Sequence, residues 1–218
     1  PGAVEVLGAI ADRAAVVGII SGRPVEVLAR LLPDPRLRLA GLYGLERRID
    51  GRIVDAPEAE RWLGPIARAA ERLRDLVPPG VEVEAKRLSL TVHHRRAPHA
   101  AEDSAAAAGV VAADLGLTVR PARMAVEVHP PGGPDKGTVV ADLAAGCAAA
   151  CFVGDDVGDV PAFDALTRLG EEGVTVVRVA VAGPEAPDAL LAAADVAVDG
   201  PAGAVAWLRS LLPATAGV

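Results

Sequence analysis

Two kinds of apolar pattern occur in this chain, and together they restrict its fold more than any other feature. Ala15-Val16-Val17-Gly18-Ile19-Ile20, Ala150 to Gly154 and Val174 to Val181 are short, nearly continuous apolar runs. Runs of this kind suit parallel strands covered by helices on both faces. Between the first and second of them, Val81 to Lys86, Leu88 to Arg95 and Met124 to His129 alternate apolar and polar residues with period two. That period belongs to antiparallel strands with a single buried face. A chain holding both patterns reads as an α/β core interrupted by a separate α+β unit.

The segments between the runs fit this reading. Val4 to Arg13 has apolar residues at helical spacing, and Pro24 to Leu32 is a helix with Pro in its first turn. Arg47 to Val54 reads as a hairpin turning at Asp50-Gly51. A helix from Glu58 to Leu76 stops at Pro78-Pro79-Gly80, and another spans Ala100 to Leu115. Beyond the insert, helices are expected at Lys136 to Ala145, up to Leu169, Pro187 to Ala194 and Gly203 to Leu212, with a last strand at Val196 to Val198. The expected division is core at 1–55, insert at 56–131 and core again at 132–218.

Hydrophobic residues make up 51% of the 218 and aromatics only 2%, so the core relies on close contacts of small aliphatic side chains. The formal charge is −7 with no basic stripe, which argues against nucleic acid as a partner. Asp, Arg, Gly or Pro interrupts each apolar run before membrane-spanning length, so no membrane association is expected. No signal-like pattern opens the chain, and Cys147 and Cys151 fit buried packing in a reduced, cytoplasmic protein.

The chemistry-bearing signals fall at strand ends and helix starts. Phe152-Val153-Gly154-Asp155-Asp156-Val157-Gly158-Asp159 joins a buried strand to a cluster of carboxylates. Strand C-termini are where open α/β sheets place their sites, and clustered carboxylates repel one another unless a cation neutralises them. Hard oxygen ligands make Asp155, Asp156 and Asp159 candidates for Mg²⁺. Ser21-Gly22-Arg23 ends the first core strand, where a hydroxyl and backbone N–H groups can cradle phosphate. Lys136, in Pro134-Asp135-Lys136-Gly137, stands where a helix begins and can hold a phosphoryl oxygen; the spacing is not that of a nucleotide P-loop. In the insert, period two groups Glu82, Glu84 and Lys86 with Ser89, Thr91, His93, Arg95, Glu127 and His129 on one polar face.

Ser21, Lys136 and the Asp155 cluster, in that order, resemble three of the four motifs of the haloacid dehalogenase superfamily. Val83-Glu84-Ala85-Lys86 leading to Ser89 and His93-His94-Arg95 is similar to the cap signature of trehalose-6-phosphate phosphatases, with His94 where that family carries Tyr. Glu127-Val128-His129-Pro130 and Gly41-Leu42-Tyr43-Gly44-Leu45-Glu46 also follow that family's order, with Tyr43 at its His position. The resemblance implies a Rossmann-like core with an inserted cap, Mg²⁺, and hydrolysis of trehalose 6-phosphate through an aspartyl-phosphate. It implies that Ser21 and Lys136 grip the phosphoryl group, that Asp155 and Asp156 hold the metal with Asp159 in support, and that Arg23, Glu84, Lys86, His93, Arg95 and Glu127 bind the substrate.

One motif of that superfamily, Asp-x-Asp-x-Thr, carries the nucleophile and the acid/base and follows its first core strand. Nothing before Ser21 supplies it: Glu5 and Asp12 lie in a helical pattern, and the chain begins with Pro1. The expectation is therefore a chain cut short before its nucleophile and inactive by itself, with a gap between the Ser21 and Asp155 strands or those strands collapsed together. The alternatives in view are another sugar phosphate (sucrose phosphate, a glycosyl-phosphoglycerate), or a non-catalytic module fused to or associated with a trehalose-phosphate synthase.

Overall fold

Gly18–Ile20 (β1) and Arg38–Gly41 (β2) pair in parallel, with Gly18 opposite Arg38 and Ile20 opposite Ala40. The computed structural model describes residues 2–57, 59–183 and 186–213. A helix at Ala3–Ala11 (α1) precedes β1, and Val25–Leu31 (α2) links it to β2. Val25 and Leu28 of α2 pack on Leu37 and Leu39, joined by Leu7, Val17 and Ile19. Antiparallel Glu46–Ile49 (β3) and then Arg52–Asp55 (β4) complete a sheet ordered β1-β2-β3-β4. Asp50 (φ 49°) and Gly51 (φ 77°) both take left-handed backbone between β3 and β4, as a tight hairpin turn requires. β2 is a strand that the apolar pattern did not suggest.

The chain divides into two compact units, Pro1–Val54 with Pro134–Val218, and Asp55–Gly133. Glu58, expected to open a helix, lies outside the described residues. A 3₁₀ turn at Ala59–Trp62 leads into Leu63–Leu76 (α3). Then come Glu82–Lys86 (β5), Ser89–His93 (β6), Ala101–Leu115 (α4), Thr118–Ala122 (β7) and Ala125–His129 (β8). These strands form an antiparallel sheet ordered β5-β6-β8-β7. Ile66, Ala69 and Leu73 of α3 and Ala108 and Val111 of α4 cover Leu90, Val92, Val126 and Val128 on one face. The alternate residues fall on the other face, where Glu84, Thr91, Glu127 and Arg120 lie in one cross-strand row.

The first unit resumes with Lys136–Ala144 (α5), Ala149–Gly154 (β9), Val160–Glu171 (α6), Thr175–Ala182 (β10), Asp188–Ala192 (α7), Val196–Asp199 (β11) and Gly200–Ser210 (α8). β9, β10 and β11 make a parallel sheet ordered β11-β10-β9. Val140 of α5 packs with Ala162, Ala165 and Leu166 of α6, and both Ile20 of β1 and Phe152 of β9 join that cluster. So α5 reaches both sheets. β1 and β9 are each the end strand of their sheet and do not pair. An apolar groove of about 480 Å³ lies between them, lined by Val16 to Ile20 on one side, Ala149 to Val153 on the other, and Leu143 and Leu208 from α5 and α8.

Candidate active site

The acidic loop is organised around Asp159. β9 ends at Gly154, and Val157–Asp159 form a 3₁₀ turn before α6. Asp159 is only 2% exposed. Its Oδ2 accepts the N–H groups of Asp155 (2.8 Å) and Asp156 (3.1 Å), and its Oδ1 accepts Lys136 Nζ at 2.5 Å. Gly154 makes this approach possible, since a Cβ there would lie 2.6 Å from the Asp159 Cβ.

Lys136 is placed by the start of α5. Asp135 caps that helix, accepting the Thr138 N–H at 2.8 Å and its hydroxyl at 2.9 Å. Gly137 lets the first turn lie against Pro161, whose carbonyl oxygen would be 2.4 Å from a Cβ. A lysine at a helix N-terminus meets like polarity from the helix dipole. Asp159 offsets that, and Asp156 Oδ1 stands 3.6 Å from the same Nζ.

Asp155, Asp156 and Asp159 present carboxylate oxygens within 4.8 Å of one another. Burial pushes the Asp156 carboxyl above its ordinary range; Lys136 opposes that shift, and the Asp159 and Asp155 charges add to it. A divalent cation relieves this crowding, and an all-oxygen donor set at a strand end suits Mg²⁺. The three acids are not equivalent. Asp155 and Asp156 are exposed, Asp156 also accepting the Asp159 N–H as the cap of the turn, whereas both oxygens of Asp159 already accept hydrogen bonds from the loop and from Lys136. Asp159 shapes the loop; Asp155 and Asp156 are the residues with carboxylates to offer.

Ser21 follows β1, and its hydroxyl accepts the Arg23 N–H at 3.2 Å. The first turn of the helix behind it is largely satisfied: Pro24 has no N–H, the Val25 N–H goes to Glu46 Oε2 at 3.0 Å, and the Val27 and Leu28 N–H groups go to the Pro24 carbonyl. The Ser21, Leu42 and Tyr43 N–H groups go to backbone carbonyls, so an anion here would meet chiefly the Ser21 hydroxyl. Glu46, 5% exposed, was quoted in the sequence only as part of a resemblance, and it proves to be the cap of α2. Its segment is tightly set. A Cβ on Gly41 would lie 2.5 Å from the Val25 N, and one on Gly22 would lie 2.9 Å from the Tyr43 Oη. Leu42 and Tyr43 both take positive φ, 47° and 58°, a strained pairing for side-chain-bearing residues. The signal for this role is a pair of glycines before an acid, whose partner lies 21 residues upstream.

In the second unit, Glu84 Oε2 meets His93 Nε2 at 2.9 Å, and Lys86 Nζ stands 3.8 Å from both Glu84 and Glu127. Lys86, Glu84, His93 and Glu127 are thus brought together. Arg95 is not on the strand face with them: β6 ends at His93, the period-two reading stops there, and Arg95 lies in an exposed turn. Arg23 is exposed beside Ser21. Thr91, in the middle of the polar face, is 2% exposed.

A family model described as Trehalose-phosphatase matches residues 1–196. The trehalose-phosphate phosphatase of Mycobacterium avium (strain 104) is 32% identical over 222 aligned residues, covering 96% of this chain and 55% of that protein. The chain spans about half the length of the curated relatives it matches first. Two solved structures share its fold. The C-terminal domain of C. albicans trehalose-6-phosphate phosphatase has a TM-score of 0.75 at 20% identity, over 95% of this chain and 81% of that one. The C-terminal domain of the Candida albicans trehalose synthase regulatory protein has a TM-score of 0.70 at 16% identity, over 95% and 86%. With a Rossmann-like core of the haloacid-dehalogenase type, an inserted α+β cap and a family match over residues 1–196, this chain belongs to the trehalose-phosphatase family.

Proposed function

We propose that the protein carrying this chain hydrolyses trehalose 6-phosphate to trehalose and phosphate. The observation that carries the reading is the Lys136–Asp159 pair fixed beside Asp155 and Asp156 at the end of β9. In the core, Lys136 and the Ser21 hydroxyl hold the phosphoryl oxygens, with Arg23 beside them. Lys136 thereby offsets charge as the phosphorus–oxygen bond breaks. Asp155 and Asp156 would hold Mg²⁺, which supplies Lewis-acid neutralisation of the phosphoryl oxygens. In the cap, Glu84 and Glu127 accept sugar hydroxyl protons, while Lys86 donates and His93 orients Glu84.

The attacking carboxylate is assigned to a strand outside residues 1–218, seated in the groove between β1 and β9. That strand would run parallel to both and end beside Ser21 and Asp155. Its carboxylate attacks phosphorus, the sugar oxygen leaves and takes a proton, and water then releases phosphate from the acyl phosphate. The open edges of β1 and β9 and the apolar lining between them support this assignment. A cytoplasmic setting fits the free Cys147 and Cys151, and among the described residues no helix is long and apolar enough to cross a membrane.

A panel of trehalose 6-phosphate, sucrose phosphate and a glycosyl-phosphoglycerate, assayed with Mg²⁺ on the longer protein, tests the substrate. Preference for either of the latter two would overturn it. Residues 1–218 alone are expected to release no phosphate, and Mg²⁺-dependent turnover by them would overturn the external nucleophile. A second reading is suggested by the likeness to the C-terminal domain of a trehalose synthase regulatory protein: the chain serves a synthase as a sugar-phosphate-binding module. Binding without turnover by the longer protein would favour it.

A further inference from the structure

We infer that Thr91 is a further substrate-positioning residue, whose hydroxyl exchanges hydrogen bonds with a hydroxyl of the bound sugar; the inference rests on the reading of the cap just given. Thr91 sits at the centre of the polar row, with Glu84 its register partner on β5 and Glu127 on β8. It lies on the face opposite Leu90 and Val92, which pack on α3 and α4. Thr91 is 2% exposed and its Oγ1 has no hydrogen-bond partner.

A buried hydroxyl without a partner has lost its water and gained nothing in return. Valine would fill the same space without that penalty, as Val92 does one residue on. The chemistry of the surrounding groups explains what the hydroxyl adds. Ionised Glu84 and Glu127 only accept, and charged Lys86 only donates. A sugar hydroxyl donates one hydrogen and can accept two, so one that gives its proton to Glu84 or Glu127 and accepts from Lys86 still has room for a second donor. The Thr91 O–H supplies it from the floor of the same row. Access is compatible with this. Lys86 stands 3.8 Å from each carboxylate, an ion-pair separation longer than a hydrogen bond, so it is held loosely enough to swing aside and uncover the Thr91 hydroxyl for a ligand.

The test uses residues 1–218 with three probes: trehalose 6-phosphate, trehalose and inorganic phosphate, each titrated calorimetrically onto wild type, Thr91→Val and Thr91→Ser. Thr91→Val is expected to weaken both sugar ligands about three- to ten-fold while leaving phosphate affinity unchanged. Its Tm should equal or exceed that of wild type, because an unpartnered buried hydroxyl has been removed. Thr91→Ser, which keeps the hydroxyl, should restore sugar binding. Equal sugar affinity in Thr91→Val, or a parallel loss of phosphate binding, would overturn the inference alone. A wild-type chain that binds phosphate but neither sugar would overturn the reading of the cap, and this inference with it.

Discussion

Asp159 and Lys136 form a buried pair whose partners cannot be exchanged freely. Asp159→Asn would leave the Lys136 charge with only Asp156 at 3.6 Å, and the expected loss is about 3 kcal/mol, read from urea denaturation. Asp156 makes the opposite prediction. Its carboxyl is pushed above the ordinary range by partial burial, with the Asp159 and Asp155 charges adding to the shift, so its ionisation opposes folding at neutral pH, weakly because the side chain is 63% exposed. Asp156→Asn should therefore raise Tm without Mg²⁺ and reduce the Tm gain on adding it, in melts run with and without the metal. At this scale the sequence was partly legible. The Gly-Asp-Asp cluster and Lys136 could be picked out by type and position. The separate task of Asp159 depends on an ammonium 23 residues away, which no local pattern encodes. The cap made by Glu46, and the burial of Thr91, are long-range in the same way.

Between elements, Arg178 and Asp195 tie β10 to the residue just before β11. The Arg178 N–H and Nε reach Asp195 Oδ2 at 2.8 and 3.0 Å, and Nη2 reaches Oδ1 at 2.7 Å. These bonds, led by those from the Arg178 side chain, hold the Asp195 carboxyl at about 2 against an ordinary 3.8. A depressed acid contributes stability that is complete above its unfolded value and is lost as pH falls through the folded one. Stability should thus fall between about pH 4 and pH 2, and Asp195→Asn should flatten that limb in denaturation series across the range. β2 and β7 show why some strands escape pattern reading. β2 is only four residues long and ends in three consecutive buried positions, Leu39, Ala40 and Gly41, too short a run to show either period after the charged Arg36 and Arg38. β7 contains Pro121, which argues against a central strand, but β7 is an edge, where a missing N–H costs no ladder bond.

For the molecule as a whole, each unit has its own apolar clusters, so damage to one should stay local. Leu73, fully buried in the cap, is the place to test this. Leu73→Ala is expected to cost the cap about 3 kcal/mol and to speed amide exchange in β5, β6 and β8, with β9 and β10 protected as before. Cap and core were separable in the sequence because alternating and continuous apolar runs answer to different surroundings. The apolar runs alone did not show the groove, which was expected only from the missing motif of the family, since it is a property of two edges set side by side. Its consequence is practical. Strand edges recognise backbone before they recognise side chains, so the strand proposed above would be held there first by its main chain and only then by its apolar side chains. On the nucleophile assignment proposed above, residues 1–218 and a peptide carrying that strand would act as two parts of a split reporter, silent apart and releasing phosphate together.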